Sequence, residues 1–126
     1  MDNFTLVRPE HLNHHGRLFG GEMLKWVDEF AWMAASRDFP HCSLVTIGMD
    51  RVEFRRPAPC GAILRFRIVY VGQGTTSVTY SVDVFSDEPG AEDELHIFST
   101  HVTFVHVGPD GAKRPLPHKD HLRSAQ

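Results

Sequence analysis

The sequence predicts an α+β fold in which one long central helix is wrapped by an antiparallel sheet of five or six strands. Three observations carry this: one strongly apolar stretch of helical period lies in the first third of the chain, the segments after it alternate with a period of two, and short turns separate them. A helix apolar well beyond one stripe must be enclosed, and a twisted sheet can enclose it.

A short strand is expected over residues 4–7. The helix is expected over residues 20–37, where Met23, Val27, Phe30 and Ala34 stack on one face with Leu24, Ala31 and Ala35 beside them. Trp26, Trp32 and Met33 widen that face, while Glu22, Lys25 and Glu29 share the wet side. Lys25 and Glu29 stand at i,i+4 in the weaker order for an ion pair. Residues 44–54 read as a strand whose alternation breaks near Met49 and Asp50, as a bulge would break it. Residues 63–71 put Leu64, Phe66, Ile68 and Tyr70 opposite Arg65 and Arg67. Residues 77–85 put Val78, Tyr80, Val82 and Val84 opposite Ser77, Thr79, Ser81 and Asp83. Residues 95–107 are long, β-branched and aromatic, with Phe98, Val102 and Phe104 on one face. From Gly108 onward, prolines and glycines predict an irregular, frayed tail. The domain is expected to span residues 1–117, with a tail over 118–126.

The 126 residues suit one domain, and 41% hydrophobic with 23% charged residues is ordinary globular composition. A net charge of −3 provides no basic field, so no nucleic-acid partner is expected. No apolar run approaches the roughly 20 residues that span a bilayer, and no signal-peptide pattern opens the chain. A cytoplasmic protein without a membrane partner is therefore expected. Cys42 and Cys60 are too few for a disulfide framework and read as small apolar side chains in a reduced setting. A core this small leaves sheet surface to cover, so self-association is expected.

Asp28 is the oddity with chemical content. It stands mid-helix, where it neither caps nor compensates the helix dipole, and its neighbours Leu24, Ala31, Trp32 and Ala35 offer no cation. A carboxylate losing hydration there becomes a stronger base. The plainer reading, an aspartate at the edge of the apolar face reaching water or an arginine elsewhere, has equal weight on the helix alone. Gly20 and Gly21 at the helix start allow close backbone approach and leave N–H groups pointing outward, which would suit a carbonyl becoming an oxyanion. A glycine pair alone more often means a helix start without a ligand.

Taken together, Asn13-x-x-Gly16-x-x-Phe19-Gly20-Gly21, then Leu24, Trp26 and Asp28-Glu29, resemble the acyl-CoA thioesterases of the hot-dog superfamily. The likeness continues through Val45-Thr46, the run from Val52 to Pro57, Gly61, the turn at residues 74–77, Thr103-Phe104-Val105 and Pro115-Leu116-Pro117. It implies hydrolysis of fatty acyl-CoA, with Asp28 as general base or nucleophile and Asn13 positioning water or thioester. The N–H of Gly21, helped by Gly20, would polarise the carbonyl. It implies a site across a dimer interface, with a trimer of dimers as the larger assembly. Phe54, Arg55 and Arg56, with Gly74, Thr75, Thr76 and Ser77, resemble segments lining the coenzyme A groove, where guanidinium suits phosphate. Coenzyme A enters as part of the substrate; no separate cofactor is implied. Leu12, His14 and His15 depart from the smaller or polar residues expected around Asn13.

Nine histidines raise a metal, but His96 and His106 alternate away from His101 along one strand, and no metal is expected. No Gly-x-Ser-x-Gly elbow is present. Two rivals remain. An enoyl-CoA hydratase of the same superfamily would resemble this chain with a histidine after the aspartate, and none stands between Asp28 and Asp38. A non-catalytic acyl-CoA sensor would need an output unit for which the chain has no room.

Overall fold

The computed structural model describes residues 1–119. The elements are β1 (Asp2–Leu6), a 3₁₀ turn (Pro9–His11), α1 (Gly20–Asp38), β2 (Ser43–Phe54), β3 (Ile63–Gln73), β4 (Ser77–Asp87) and β5 (Leu95–Val107). The five strands form one antiparallel sheet in the order β1-β3-β4-β5-β2. The elements before and after α1 lie at opposite edges, so the helix has to cross the whole sheet. That is the arrangement the apolar helix predicts, with five strands among the described residues.

Met23, Trp26, Val27, Ala31, Ala34 and Ala35 of α1 are buried. They meet Leu64, Phe66, Ile68, Val78, Tyr80, Val82, Val84, Phe98, Val102 and Phe104 of the sheet. Phe66 receives Trp26 and Phe30 edge-on, at centroid distances of 6.3 and 4.9 Å. The alternation in β4 decides its register: every second residue from Val78 to Val84 is inside.

Four details differ from expectation. Lys25 pairs with Glu22 at 3.2 Å rather than with Glu29. The irregularity in β2 is a double one, with register shifts between Thr46 and Gly48 and between Asp50 and Glu53, and with Arg51 at φ 53°. A further bulge interrupts β5, where Ile97 and Phe98 are both buried and the register shifts opposite Val84 and Phe85. That extra residue reverses the alternation, so His96 does share the outer face with His101, and its Nε2 lies 2.9 Å from Asp83 Oδ1. Finally, the segment after β5 is irregular but tied down. Arg114 donates its N–H to the His106 carbonyl at 2.9 Å, Leu116 to Thr75 at 2.8 Å, and Gln73 Nε2 reaches the Pro117 carbonyl at 3.1 Å. Of the expected tail, residues 120–126 lie outside the described part.

Candidate active site

Asp28 lies on the flank of α1 that faces the edge strand β2, and it is half-buried. The Thr46 hydroxyl donates to Asp28 Oδ1 at 2.6 Å. One helical turn on, Trp32 Nε1 donates to the Leu44 carbonyl at 3.0 Å. Residues at i,i+4 share a helix face, so these two bonds fix the carboxylate against β2. The partner is thus a strand hydroxyl, not an arginine.

Asn13 holds its own loop. Its Oδ1 accepts from the N–H groups of His15 and Arg17 at 2.9 and 3.2 Å, and its backbone N–H donates to the Arg17 carbonyl at 2.7 Å. Gly16, at φ 76°, makes the turn. The Nδ2 donor of Asn13 has no partner among the described residues and is available to a ligand.

At the helix start, Glu22 and Met23 donate to the Phe19 carbonyl at 3.0 and 3.2 Å. The N–H groups of Gly20 and Gly21 have no partner among the described residues. They can therefore polarise a carbonyl. The Phe19 ring lies over Gly21, where a Cβ would stand 2.5 Å from the ring, while one on Gly20 would touch Phe54 at 3.5 Å.

Asn13, Gly20, Phe54, Arg55 and Arg56 line one cavity of about 400 Å³, floored by Leu18, Met23 and Ala58. Asp28 is not part of its wall. Arg55 is engaged by Glu53 at 3.2 Å and Ser99 at 3.1 Å. The turn at Gly74, Thr75, Thr76 and Ser77 closes through Gly74 N–H to the Ser77 carbonyl at 2.9 Å. Ser77 stands opposite Val105 on β5, whereas Phe54 stands opposite Phe98. At about 3.3 Å per residue these points lie roughly 20 Å apart along the strand. One subunit therefore does not bring the two expected coenzyme A segments into a single groove.

Thr46 was not singled out by the sequence for a role at the site, nor were Arg17 and His15, which share the Asn13 cavity. A threonine in a β-rich strand carries no periodic signal; only the helix crossing puts Asp28 beside it. Among the described residues no three histidine, cysteine or acidic side chains are placed to hold a metal, and no helix is long and apolar enough to cross a membrane.

A family model described as the thioesterase superfamily matches residues 15–92. The acyl-CoA thioester hydrolase YciA of Salmonella typhimurium is 28% identical over 116 residues, covering 90% of this chain and 86% of that protein. A hexameric hotdog fold thioesterase of Campylobacter jejuni superposes with a TM-score of 0.83 at 31% identity, over 97% of this chain and 92% of that one. An acyl-CoA hydrolase of Staphylococcus aureus, solved as an aspartate-to-alanine variant, gives a TM-score of 0.79 at 26% identity, over 93% of this chain and 71% of that one. With the helix-crossed sheet and the carboxylate it positions, the chain belongs to the thioesterase superfamily and has its hot-dog fold.

Proposed function

We propose that this thioesterase hydrolyses acyl-CoA to the free acid and coenzyme A, with Asp28 as the catalytic carboxylate. The observation that carries the reading is the Thr46–Asp28 bond, which holds a half-buried carboxylate at the β2 edge of the sheet, with its second oxygen unengaged among the described residues. As base, Asp28 takes a proton from water, the water oxygen bonds to the thioester carbon, and the C–S bond breaks to release the thiol. As nucleophile, its oxygen makes that bond first, the C–S bond breaks to release the coenzyme A thiolate, and water then cleaves the anhydride to give the free acid and the regenerated carboxylate, the proton from water going to the thiolate. Gly21, with Gly20, stabilises the carbonyl oxygen in either route, and Asn13 Nδ2 orients water or thioester.

The S. aureus hydrolase has also been solved with a threonine and with an asparagine replaced by alanine, the latter with coenzyme A. There the asparagine precedes the aspartate by fifteen positions, as Asn13 precedes Asp28. The threonine follows the aspartate by seventeen, against eighteen from Asp28 to Thr46.

In this reading the working unit is a dimer joined along β2. That strand has no neighbour beyond β5 among the described residues, and Val45, Ile47, Val52 and Phe54 are exposed along it. Antiparallel pairing about a two-fold axis sets the Thr46 end of one β2 against the Phe54 end of the other. Asp28 of one subunit then faces the Asn13 and Gly21 of its partner, and the turn at residues 74–77 approaches Arg55 and Arg56 across the axis. A trimer of such dimers has the six subunits that the C. jejuni relative is described as having. A cytoplasmic location suits two cysteines that form no disulfide with each other.

The test offers acetyl- to palmitoyl-CoA and follows free thiol. Turnover lost in Asp28→Ala with coenzyme A binding retained is the expected result. Binding without thiol release at every chain length would make the protein a sensor, and enoyl-CoA hydration without hydrolysis would make it a hydratase.

A further inference from the structure

The large apolar side chains left exposed among the described residues fall into two groups at opposite edges of the sheet. Phe19, Trp32, Val45, Ile47, Val52 and Phe54 lie on β2 or at the helix beside it, where the proposed dimer forms. Met1, Phe4, Leu6, Ile63, Val69 and Val71 lie on β1 and β3 or just before them, and no part of the site uses them. Apolar surface gathered at a second place marks a second contact.

The register puts this group on the outer face of the sheet, turned away from α1. Leu64, Phe66 and Ile68 of β3 are buried against the helix, so Ile63, Arg65, Arg67 and Val69 point outward. Leu6 stands opposite Ile63 and Phe4 opposite Arg65, and cross-strand partners share a face. Phe4, Leu6 and Ile63 are 62%, 39% and 47% exposed. Arg65 does not break the patch. Its guanidinium lies 4.5 Å from the centre of the Phe85 ring, bonds both Glu94 oxygens at 3.0 and 2.9 Å, and meets Asp2 at 3.4 Å. Its charge is compensated within the subunit, which suits the core of a contact.

Two opposite charges bracket the patch. Arg67 follows Arg65 on the outer face of β3, and Asp87 stands opposite Ile63 on β4. Both are exposed, and neither has an ion-pair partner among the described residues. Asp83, the cross-strand neighbour of Arg67, is taken by His96 at 2.9 Å. Turning a second copy over about a two-fold axis that crosses the strands lays Phe4, Leu6 and Ile63 on their counterparts. It also sets Arg67 of each copy against Asp87 of the other. The face is complementary to itself.

We infer that the outer face of β1 and β3, centred on Phe4, Leu6 and Ile63, binds the same face of a second copy and joins β2-linked dimers into the larger assembly. Two self-complementary contacts at opposite edges, with two-fold axes meeting at about 60°, close at six copies. The number six rests on the assembly proposed above; the contact rests on the exposed side chains and their charges.

Sedimentation and thiol release test it together. Wild type should sediment as six subunits. Phe4→Lys and Ile63→Lys should sediment as two, with folded spectrum and kcat per subunit kept, because the proposed site lies across β2. Arg67→Glu should also fall to two, and Arg67→Glu combined with Asp87→Arg should return to six, a recovery that mere misfolding would not allow. A wild type that stops at two leaves the face to a different partner and overturns the inference. So does a Phe4→Lys variant that stays at six, or a charge-swapped pair that fails to reassemble. Splitting by Phe4→Lys in a protein that hydrolyses no thioester would keep the contact and remove the hydrolysis.

Discussion

Thr46 Oγ1 lies 2.6 Å from Asp28 Oδ1, a strand hydroxyl donating to a helix carboxylate across eighteen residues of chain. The bond spans the junction between the central helix and β2, the edge strand that follows it in the chain. It therefore couples the geometry of the proposed catalytic carboxylate to the geometry of the proposed dimer edge.

Removing that hydroxyl should cost catalysis more than folding. A hydrogen bond to a charged group contributes about 1.5–3 kcal/mol, so Thr46→Val should lower kcat by about ten- to a hundredfold. Thr46→Ser should restore most of it. Equal kcat in the valine variant, with melting temperature unchanged, would remove Thr46 from the mechanism.

The edge itself is testable. Ile47 is 58% exposed and Val45 48% exposed, on a strand with no neighbour beyond β5 among the described residues. A lysine at either position should be tolerated by the monomer and resisted by a β2–β2 contact. Sedimentation should show Ile47→Lys dissociating, and thiol release should fall with it, because Asp28 and Asn13 would then lack each other. An active monomer would exclude a shared site.

At the helix tip, a methyl on Gly21 meets the Phe19 ring at 2.5 Å, but one on Gly20 meets Phe54 only at van der Waals distance, 3.5 Å. Phe19 is exposed and can swing away. Gly21→Ala should therefore reduce kcat by turning Phe19 into the mouth of the site, with little change in melting temperature. Gly20→Ala should do markedly less. Comparable losses in the two variants would count against the assignment of Gly21.

Far from this chemistry, the buried Tyr80 hydroxyl donates to Asp38 Oδ2 at 2.7 Å. Burial, then the hydrogen bond and the negative charge of Asp38, push the phenol well above its ordinary value. A phenol raised in the folded state keeps its proton there while the unfolded chain loses it above about pH 10. The contribution of Tyr80 is thus fully present below pH 10 and declines as pH rises. Denaturation followed against pH should show alkaline destabilisation that is blunted in Tyr80→Phe. At neutral pH that variant should be less stable by about 1–3 kcal/mol, since Asp38 loses its donor.

The helix and the five strands were legible because each is a local pattern: a 3.6-residue apolar face from Met23 to Ala35, and strict alternation from Val78 to Val84. Asp28 was legible for the same reason, as a charge without a local partner in an apolar helix. The bulge at Ile97 and Phe98 was not, because two adjacent apolar residues in a long β-branched strand look like any others. It alone put His96 beside Asp83, reversing the face expected from alternation.

The sequence by itself determined the fold class and the family likeness and singled out Asp28 as a charge without a local partner, since these follow from residue order and short-range periodicity. Only the tertiary structure decided what surrounds them: that α1 crosses to set Asp28 against Thr46, that Asn13 spends its oxygen on its own loop, and that Arg55 is engaged by Glu53 and Ser99. The physical reason is that a partner's identity depends on contacts between residues far apart in sequence, which the packing of helix on sheet creates and no local pattern encodes.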